Sequence, residues 1–321
     1  MTHWEIGLIK RALPLYFPSV SSVKTGRDPI EYVRVLNKLV GGTQYLVSAF
    51  DVMRCTQKTQ DDLASEIGQA IASGTVVLMD SGNYESYWKA PHKRWMPTEF
   101  HDALRIVKPT IAFGFDDQEP PIDQKDHLRQ LNAQHEADIT ASSTTVIPIV
   151  HGSPDHLMLI CPLLVRDQRL AAIAVPERVL GAGIFERKKA VRALREALDK
   201  TGEHVMLHLL GTGNPTSIAL YANAGADSFD GLEWCQTVVD HETALLHHFS
   251  QGDFFKSQTK WGDSDVSYVP RTLAHNLTFY ADWMKRLANA IAENDGTAFC
   301  RHNISRRIYV QCASEFNWED V

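Results

Sequence analysis

The sequence is short of paired cysteines, of long apolar runs and of net positive charge, and each shortage removes a class of protein. Its five cysteines, Cys55, Cys161, Cys235, Cys300 and Cys312, are scattered and form no CxxC pair. Neither a disulfide framework nor a cysteine-rich zinc knuckle is therefore expected. No apolar run approaches the ~20 residues that span a bilayer. The first residues, Met-Thr-His-Trp-Glu, lack the basic-then-apolar order of a secretory signal. The expected location is cytoplasmic, with no membrane partner. A formal net charge of -7 leaves no strongly basic nucleic-acid footprint overall, although a local basic patch stays open. Low-complexity tracts and solenoid repeats are also missing.

What remains is 321 residues, 44% of them hydrophobic and 22% charged, enough to bury a large core. Strand and helix patterns alternate along most of this length. The expected strands are Gln44–Phe50, Thr75–Met79, Thr110–Phe115, Thr145–Val150, Leu170–Val175, Val205–Leu210 and Ala226–Phe229. Between them lie helical spacings over Asp61–Ala72, a helix opening at Pro97 with Thr98 as its N-cap, Gln124–Ser142, Glu186–Lys200 and Thr216–Ala224. Near-continuous apolar strands joined by helices imply a parallel sheet covered by helices. With seven strands visible and an eighth ambiguous, the best reading is an α/β fold, a (β/α)8 TIM barrel, with an open doubly wound sheet as the alternative. One domain over 1–321 is expected. Residues 239–269 break the rhythm and read as an insertion or lid. Leu273–Ile291 is an amphipathic helix, and 297–321 form a C-terminal tail with a small strand expected around Ile308–Gln311.

Four of the strand ends carry polar groups: Asp80, Asp116 with Asp117, His151, and Asp230. Parallel barrel strands point their C-termini the same way, so these side chains converge on one pocket if the barrel is right. Paired carboxylates there suit glycosidic chemistry, one attacking an oxocarbenium-like centre and the other moving protons. Taken singly, each aspartate reads rather as a turn or helix cap; taken as a set, they favour the functional reading.

The motifs around these groups resemble the tRNA-guanine transglycosylases. Leu78-Met79-Asp80-Ser81-Gly82-Asn83-Tyr84 is similar to that family's Asp-Ser-Gly-Gly-aromatic segment. Phe115-Asp116-Asp117, before Pro120, resembles its Phe-Asp-Glu-Cys segment, and Val150-His151-Gly152 its Val-Gln-Gly. Leu210-Gly211-Thr212-Gly213-Asn214-Pro215 and Gly225-Ala226-Asp227-Ser228-Phe229-Asp230 resemble the Met-Gly-x-Gly-x-Pro and Gly-x-Asp-x-Phe-Asp pair. His275-Asn276-Leu277 resembles the His-Asn-Leu helix. These motifs keep the family's order over roughly residues 44 to 292.

The resemblance implies a TIM-barrel enzyme, a pentosyltransferase that exchanges guanine for a free 7-deazaguanine such as 7-cyano-7-deazaguanine. Asp230 takes the nucleophile position, giving a covalent glycosyl-enzyme. Asp80 takes the acid/base position, and Asp116 reads the edge of the base. The substrate-binding positions it implies are Ser81, Gly82, Asn83, Tyr84, Asp116, Asp117, His151, Gly152, Ala172, Ile173, Leu210, Gly211 and Gly213. His151 stands where the family has glutamine. Leu210 stands where it has methionine, and packs either on a purine or in the ordinary barrel core. Ala172 and Ile173 fall in Ala171-Ala172-Ile173-Ala174-Val175-Pro176-Glu177, where the family has Gly-Gly-Leu-x-Val-Gly-Glu. Gly211 and Gly213, between strand and helix, also suit a phosphate.

The family's zinc site departs further. Of its CxCxxC cluster only Cys235 remains between Asp230 and His275, so no metal cofactor of that type is expected. His241, His247 and His248 leave a different metal site open. Basic side chains that suit a nucleic-acid backbone are Arg301, Arg306 and Arg307 in the tail, ahead of Arg187, Lys188, Lys189, Arg192 and Arg195 on one helix. With the zinc cysteines missing and the net charge acidic, DNA is the first expected substrate and tRNA the alternative. A DNA target needs its guanine out of the stack, and so suits a partner that opens the duplex. Two other classes stay open: a non-catalytic subunit that positions a nucleic acid, and a plain hydrolase of glycosidic bonds.

Overall fold

In the computed structural model, which describes residues 3–6, 9–39, 43–84 and 95–318, strands rich in β-branched and aliphatic residues pair side by side into a barrel. A short antiparallel hairpin, β1 (His3–Ile6) with β2 (Ile9–Ala12), precedes it. The barrel strands are β3 (Leu15–Val20), β4 (Gln44–Ser48), β5 (Val76–Asp80), β6 (Ile111–Phe113), β7 (Thr145–Ile147), β8 (Ala172–Pro176), β9 (Met206–Leu210) and β10 (Ser228–Gly231). All eight are parallel, in the order β7-β6-β5-β4-β3-β10-β9-β8. The two ends meet just beyond β7, where Val150 N–H donates to Ala174 O at 2.9 Å and Ala174 N–H to Pro148 O at 3.0 Å. The sheet is thus a nearly closed (β/α)8 barrel.

The strand absent from the sequence reading is β3. Its Pro18 lacks the N–H that a central strand uses on both sides, which argues against a strand on sequence alone. Pro18 is tolerated because it sits at a handover: residues 15–18 pair with β10, whereas Ser19 and Val20 pair with β4.

Helices cover the outside: α1 (Pro29–Arg34), α2 (Gln57–Ala72), α3 (Pro97–Val107), α4 (Gln124–Ala141), α5 (Pro154–Gln168), α6 (Ile184–Asp199), α7 (Pro215–Ala222) and α8 (Tyr268–Ala292). Their starts follow local chemistry. Side chains of Asp28, Thr56, Asp123, Ser153 and Asn214 accept first-turn N–H groups, and proline opens α1, α3, α5 and α7. The expected Thr98 cap is corrected. Pro97 is already helical, Met96 holds the cap position, and the Glu99 carboxylate accepts the Met96 N–H at 3.1 Å. The tail is corrected too: Ile308–Gln311 lies inside a helix, α10 (Arg306–Phe316), after α9 (Gly296–Asn303). Tyr309 and Cys312, three apart, are its buried residues, a helical spacing that a strand reading passes over. The last expected tail residues, 319–321, lie outside the described ones.

Residues 239–269 include a short strand Leu246–His248, paired antiparallel with Thr237–Val239, and three 3-10 turns. They pack on α8: Tyr268 Oη–H donates to Phe249 O at 2.7 Å, and Trp261 Nε1–H donates to Thr278 Oγ1 at 3.1 Å. Among the described residues, no helix is long and apolar enough to cross a membrane.

Strand parity positions the site. Leu15, Phe17, Leu46, Val76, Leu78, Ile111, Phe113, Ile147, Ile149, Ala172, Ala174 and Met206 form the apolar packing inside the barrel. The alternate residues pack outward against the helices. Extending the inward set by two residues per strand reaches Ser19 above Phe17, Asp80 above Leu78, His151 above Ile149, and Asp230 above Ser228.

Candidate active site at the barrel mouth

Asp230 is buried, 7% exposed, and three donors converge on it. Ser19 Oγ–H donates to Oδ2 at 2.7 Å, and Gly211 N–H to Oδ1 at 3.0 Å. His208 Nε2 lies 3.2 Å from Oδ1, while its Nδ1 lies 2.8 Å from Ser228 Oγ. A carboxylate only accepts, so the ring carries its proton on Nε2 and takes the Ser228 hydroxyl proton at Nδ1. The Phe113 ring, with its centroid 4.5 Å from that of His208, closes off the imidazole. The result is one carboxylate held in one orientation at the centre of the mouth.

Asp80 ends β5 two strands away from β3, and its Oδ2 accepts the Gly82 N–H at 3.1 Å. The turn after it must carry a glycine: Gly82 has φ of 80°, and a Cβ there would sit 2.5 Å from the Phe50 backbone nitrogen. Asp116, 7% exposed, is held by Ser81 Oγ–H at 2.9 Å and His151 Nε2–H at 2.7 Å, and also by the Gln118 amide. Asn83 Nδ2–H donates to Asp116 O at 2.6 Å. Ser81 and Asn83 therefore steady Asp116. His151, which lines the same cavity, is thereby paired with Asp116.

Asp80, Asp116, His151, Leu210, Gly211 and Asp230 all line one cavity of about 370 Å3 with Tyr84 at its edge, so the sequence-expected core of the site comes together. That volume lies within the roughly 300–1,000 Å3 of small-molecule sites. Other expected positions do not join it. Asp117 is exposed and closes a turn, accepting the Glu119 N–H at 2.9 Å and the Gln130 amide at 2.8 Å. Gly152 faces the His156 ring. Ala172 and Ile173 are buried inside β8, one in the barrel packing and one facing the helices; the strand end that lines the cavity is Pro176, followed by Glu177 and Arg178. Gly213 packs against Glu233, where a Cβ would fall 1.8 Å from the Glu233 Oε2.

The basic residues of α6 are occupied elsewhere. Arg187 pairs with Glu177 at 3.0 Å, Lys189 with Glu315 at 2.5 Å and Arg192 with Glu196 at 3.6 Å. Arg195 is buried against Val205 O and Asp227, and the Lys188 ammonium lies 3.5 Å from the Phe316 ring centroid. The tail docks where Asn223, which caps the C-terminus of α7, meets Thr297 at 3.4 Å. Arg301, Arg306 and Arg307 do not line the cavity. Among the described lining residues, the cation is Arg178, whose guanidinium sits 5.1 Å from the Tyr84 ring centroid and bonds Gln118 Oε1.

Sequence reasoning therefore missed Ser19, His208, Glu177, Arg178 and Glu233. A signal existed for His208: a histidine at inward parity in the apolar run Val205–Leu210. Glu233, in the first turn of the short helix Glu233–Gln236, had no comparable signal. Burial pushes its carboxyl up to about 7, with Asp230 and Glu177 adding to the rise.

Cys235 and His275, which the resemblance set against a zinc site, are engaged in hydrogen bonds to backbone carbonyls. Cys235 Sγ–H donates to Leu232 O at 3.2 Å, and His275 Nε2–H donates to Val239 O at 2.8 Å. Asn276 binds Val239 N–H, Trp234 O and Thr237 O, so His275-Asn276 ties α8 to the segment after β10. The His241 ring lies tilted against His275 with centroids 4.3 Å apart, and His247 lies against Phe255. Burial, then the charge of His275, holds His241 down to about 4. Among the described residues, no group of three or more His, Cys, Asp or Glu is placed to hold a metal ion. In comparisons with known proteins, no family model matches the chain, and no curated protein matches it.

Proposed function

We propose that the chain is a base-exchange transglycosylase that replaces guanine in a nucleic acid, DNA first, with a 7-deazaguanine. The observation that carries this reading is the convergence of Asp80, Asp116 and Asp230, from three separate strand ends, on one cavity. Asp230 is oriented by Ser19, Gly211 and His208 as a nucleophile must be. Its Oδ attacks C1′ of the target nucleotide as the bond from C1′ to the base nitrogen breaks. Asp80 supplies the proton that the leaving guanine needs. An incoming 7-deazaguanine gives its ring proton back to Asp80 and displaces Asp230 from C1′, so the configuration is retained. Asp116, fixed by Ser81 and His151, accepts hydrogen bonds from the N–H edge of each base.

Several features favour DNA over tRNA: the acidic net charge, the absence of a family-type zinc grip, and the siting of Cys235 and His275 in internal hydrogen bonds. Arg178 at the mouth suits a phosphate of the flipped nucleotide better than the tail arginines do. The test is exchange of labelled guanine into guanine-containing DNA and into tRNA, side by side. Label entering DNA supports the reading, label entering tRNA alone replaces DNA with tRNA, and base release without any incoming base points to a hydrolase.

A further inference from the structure

Glu233 follows Asp230 by three residues and lines the same cavity, yet the base exchange described above gives it nothing to do. Its carboxyl occupies a notch that two glycines leave open. A Cβ on Gly213 would fall 1.8 Å from Oε2, and one on Gly231 2.5 Å from it. Two buried tyrosines brace the notch from behind. Tyr280 Oη–H donates to Gly213 O at 2.6 Å and Tyr16 Oη–H to Gly231 O at 3.1 Å, and their rings stack 4.5 Å apart. The backbone of two strand ends is thus shaped around one carboxyl, beside the nucleophile.

The groups facing Glu233 are of one kind. Asp230 comes from β10 and Glu177 from the end of β8; Cys235 comes from its own helix, Tyr16 from β3 and Tyr280 from α8. Of the basic groups around them, Arg187 pairs with Glu177 at 3.0 Å, where Tyr221 also donates at 2.9 Å, and Arg178, which lines the same cavity, bonds Gln118. Two carboxyls crowded into one poorly hydrated site divide their protons, one ionising and the other staying neutral.

Resting on the transglycosylase reading, we propose that Glu233 stores the proton of the exchange, neutral beside the Asp230 carboxylate and ionised once Asp230 has become a glycosyl ester. The balance closes within the site. In the first half, the Asp230 Oδ bonds C1′ and the base leaves with the electron pair of its C1′ bond. Asp80 gives that base a proton, and Glu233 restores the proton to Asp80 through the cavity. The negative charge moves from Asp230 to Glu233, and no outside acid is consumed. In the second half, Asp80 hands its proton back to Glu233 as it takes the ring proton of the incoming base, and Asp230 leaves C1′ as a carboxylate. Esterification removes one of the like charges that add to burial in holding the Glu233 proton, so each half-reaction prepares the next. Burial, with Asp230 and Glu177 behind it, holds the Glu233 proton on up to about pH 7.

Two measurements on the full chain test this. Difference infrared spectroscopy of the resting protein should show a protonated-carboxyl band that titrates away near pH 7 and is missing in Glu233→Gln; a wild-type protein without that band at pH 6 overturns the proposal. Single-turnover guanine release from DNA, followed against pH, should fall above about pH 7 in the wild type. In Glu233→Gln that limb should disappear and release at pH 6 should drop roughly tenfold. A uniform drop with the limb kept in place marks a merely structural role and overturns the proposal. Wild-type protein that releases no guanine from DNA or tRNA overturns the transglycosylase reading itself, and the proton-storing role with it; an intact infrared titration separates that outcome from a failure of Glu233 alone.

Discussion

Ser19 Oγ donates to Asp230 Oδ2 at 2.7 Å across the seam where β3 and β10 join the first strand of the barrel to its last. The bond ties Asp230, the proposed nucleophile, to the strand that carries Pro18, so barrel closure and the orientation of this carboxylate depend on the same pairing. Ser19→Ala should leave the fold intact and slow formation of the covalent adduct roughly tenfold, in line with a lost hydrogen bond to a charged group of about 1.5–3 kcal/mol. Rapid-quench measurement of adduct formation checks this.

His151 and Asp116 form a second pair, with 2.7 Å between Nε2 and Oδ2, both nearly buried. Removing the imidazole leaves the Asp116 carboxylate short of a donor and able to swing. His151→Ala should raise KM for the incoming base tenfold or more while the rate of adduct formation changes little. His151→Gln, which still offers an N–H, should recover most of the affinity. Steady-state kinetics with varied base concentration separate the two.

The glycine notch gives a stability prediction. Gly213→Ala places a methyl on the Glu233 carboxylate and should destabilise the protein by about 2 kcal/mol, a cost typical of overpacking. Glu233→Ala removes the obstacle, so the double variant should lie closer to the wild type than Gly213→Ala alone. Denaturant melts of the four proteins give the coupling energy directly.

Buried histidines set the acid side of the stability curve. Burial, and after it the charges of His156 and His151, holds His127 down to about 4, as burial and His275 do His241. Over the window from about 4 to about 6.5 the unfolded chain therefore binds more protons than the folded one, and stability falls as the pH drops through it. Each group contributes on the order of 2–3 kcal/mol by pH 4. Glu233 has the opposite sign: its raised value makes stability fall as the pH rises from about 4.5 to about 7. Tm against pH should slope less steeply below pH 6.5 in His127→Phe, and Glu233→Gln should melt above the wild type at pH 8.

Legibility in the sequence followed locality. Seven strands, the helices between them and the polar residues that end the strands were readable because apolar runs and caps are written in adjacent residues. β3 was hidden by Pro18, whose missing N–H matters only once its two neighbours are known to hand over at that residue. The tail helix α10 was misread as a strand because Ile308–Gln311 is short and apolar at its start. Asp80, Asp116 and Asp230 were legible as strand-end polar groups. Ser19, His208 and Glu233 were not, since each acquires its role from a residue on another strand or loop. Asp117, Ala172 and Ile173 illustrate the reverse: adjacent in the chain to the strand ends, they lie in a turn or within a strand rather than along the cavity.

The central claim is that Asp230 forms a covalent bond to the sugar, and trapping tests it most directly. The protein is incubated with guanine-containing DNA, and with tRNA in parallel, then denatured and separated by size with mass analysis of any shifted band. The account predicts a denaturation-resistant complex with DNA that maps to Asp230, is lost in Asp230→Ala and disperses when a competing base is added. An absence of adduct with both nucleic acids, or an adduct that survives in Asp230→Ala, would contradict it.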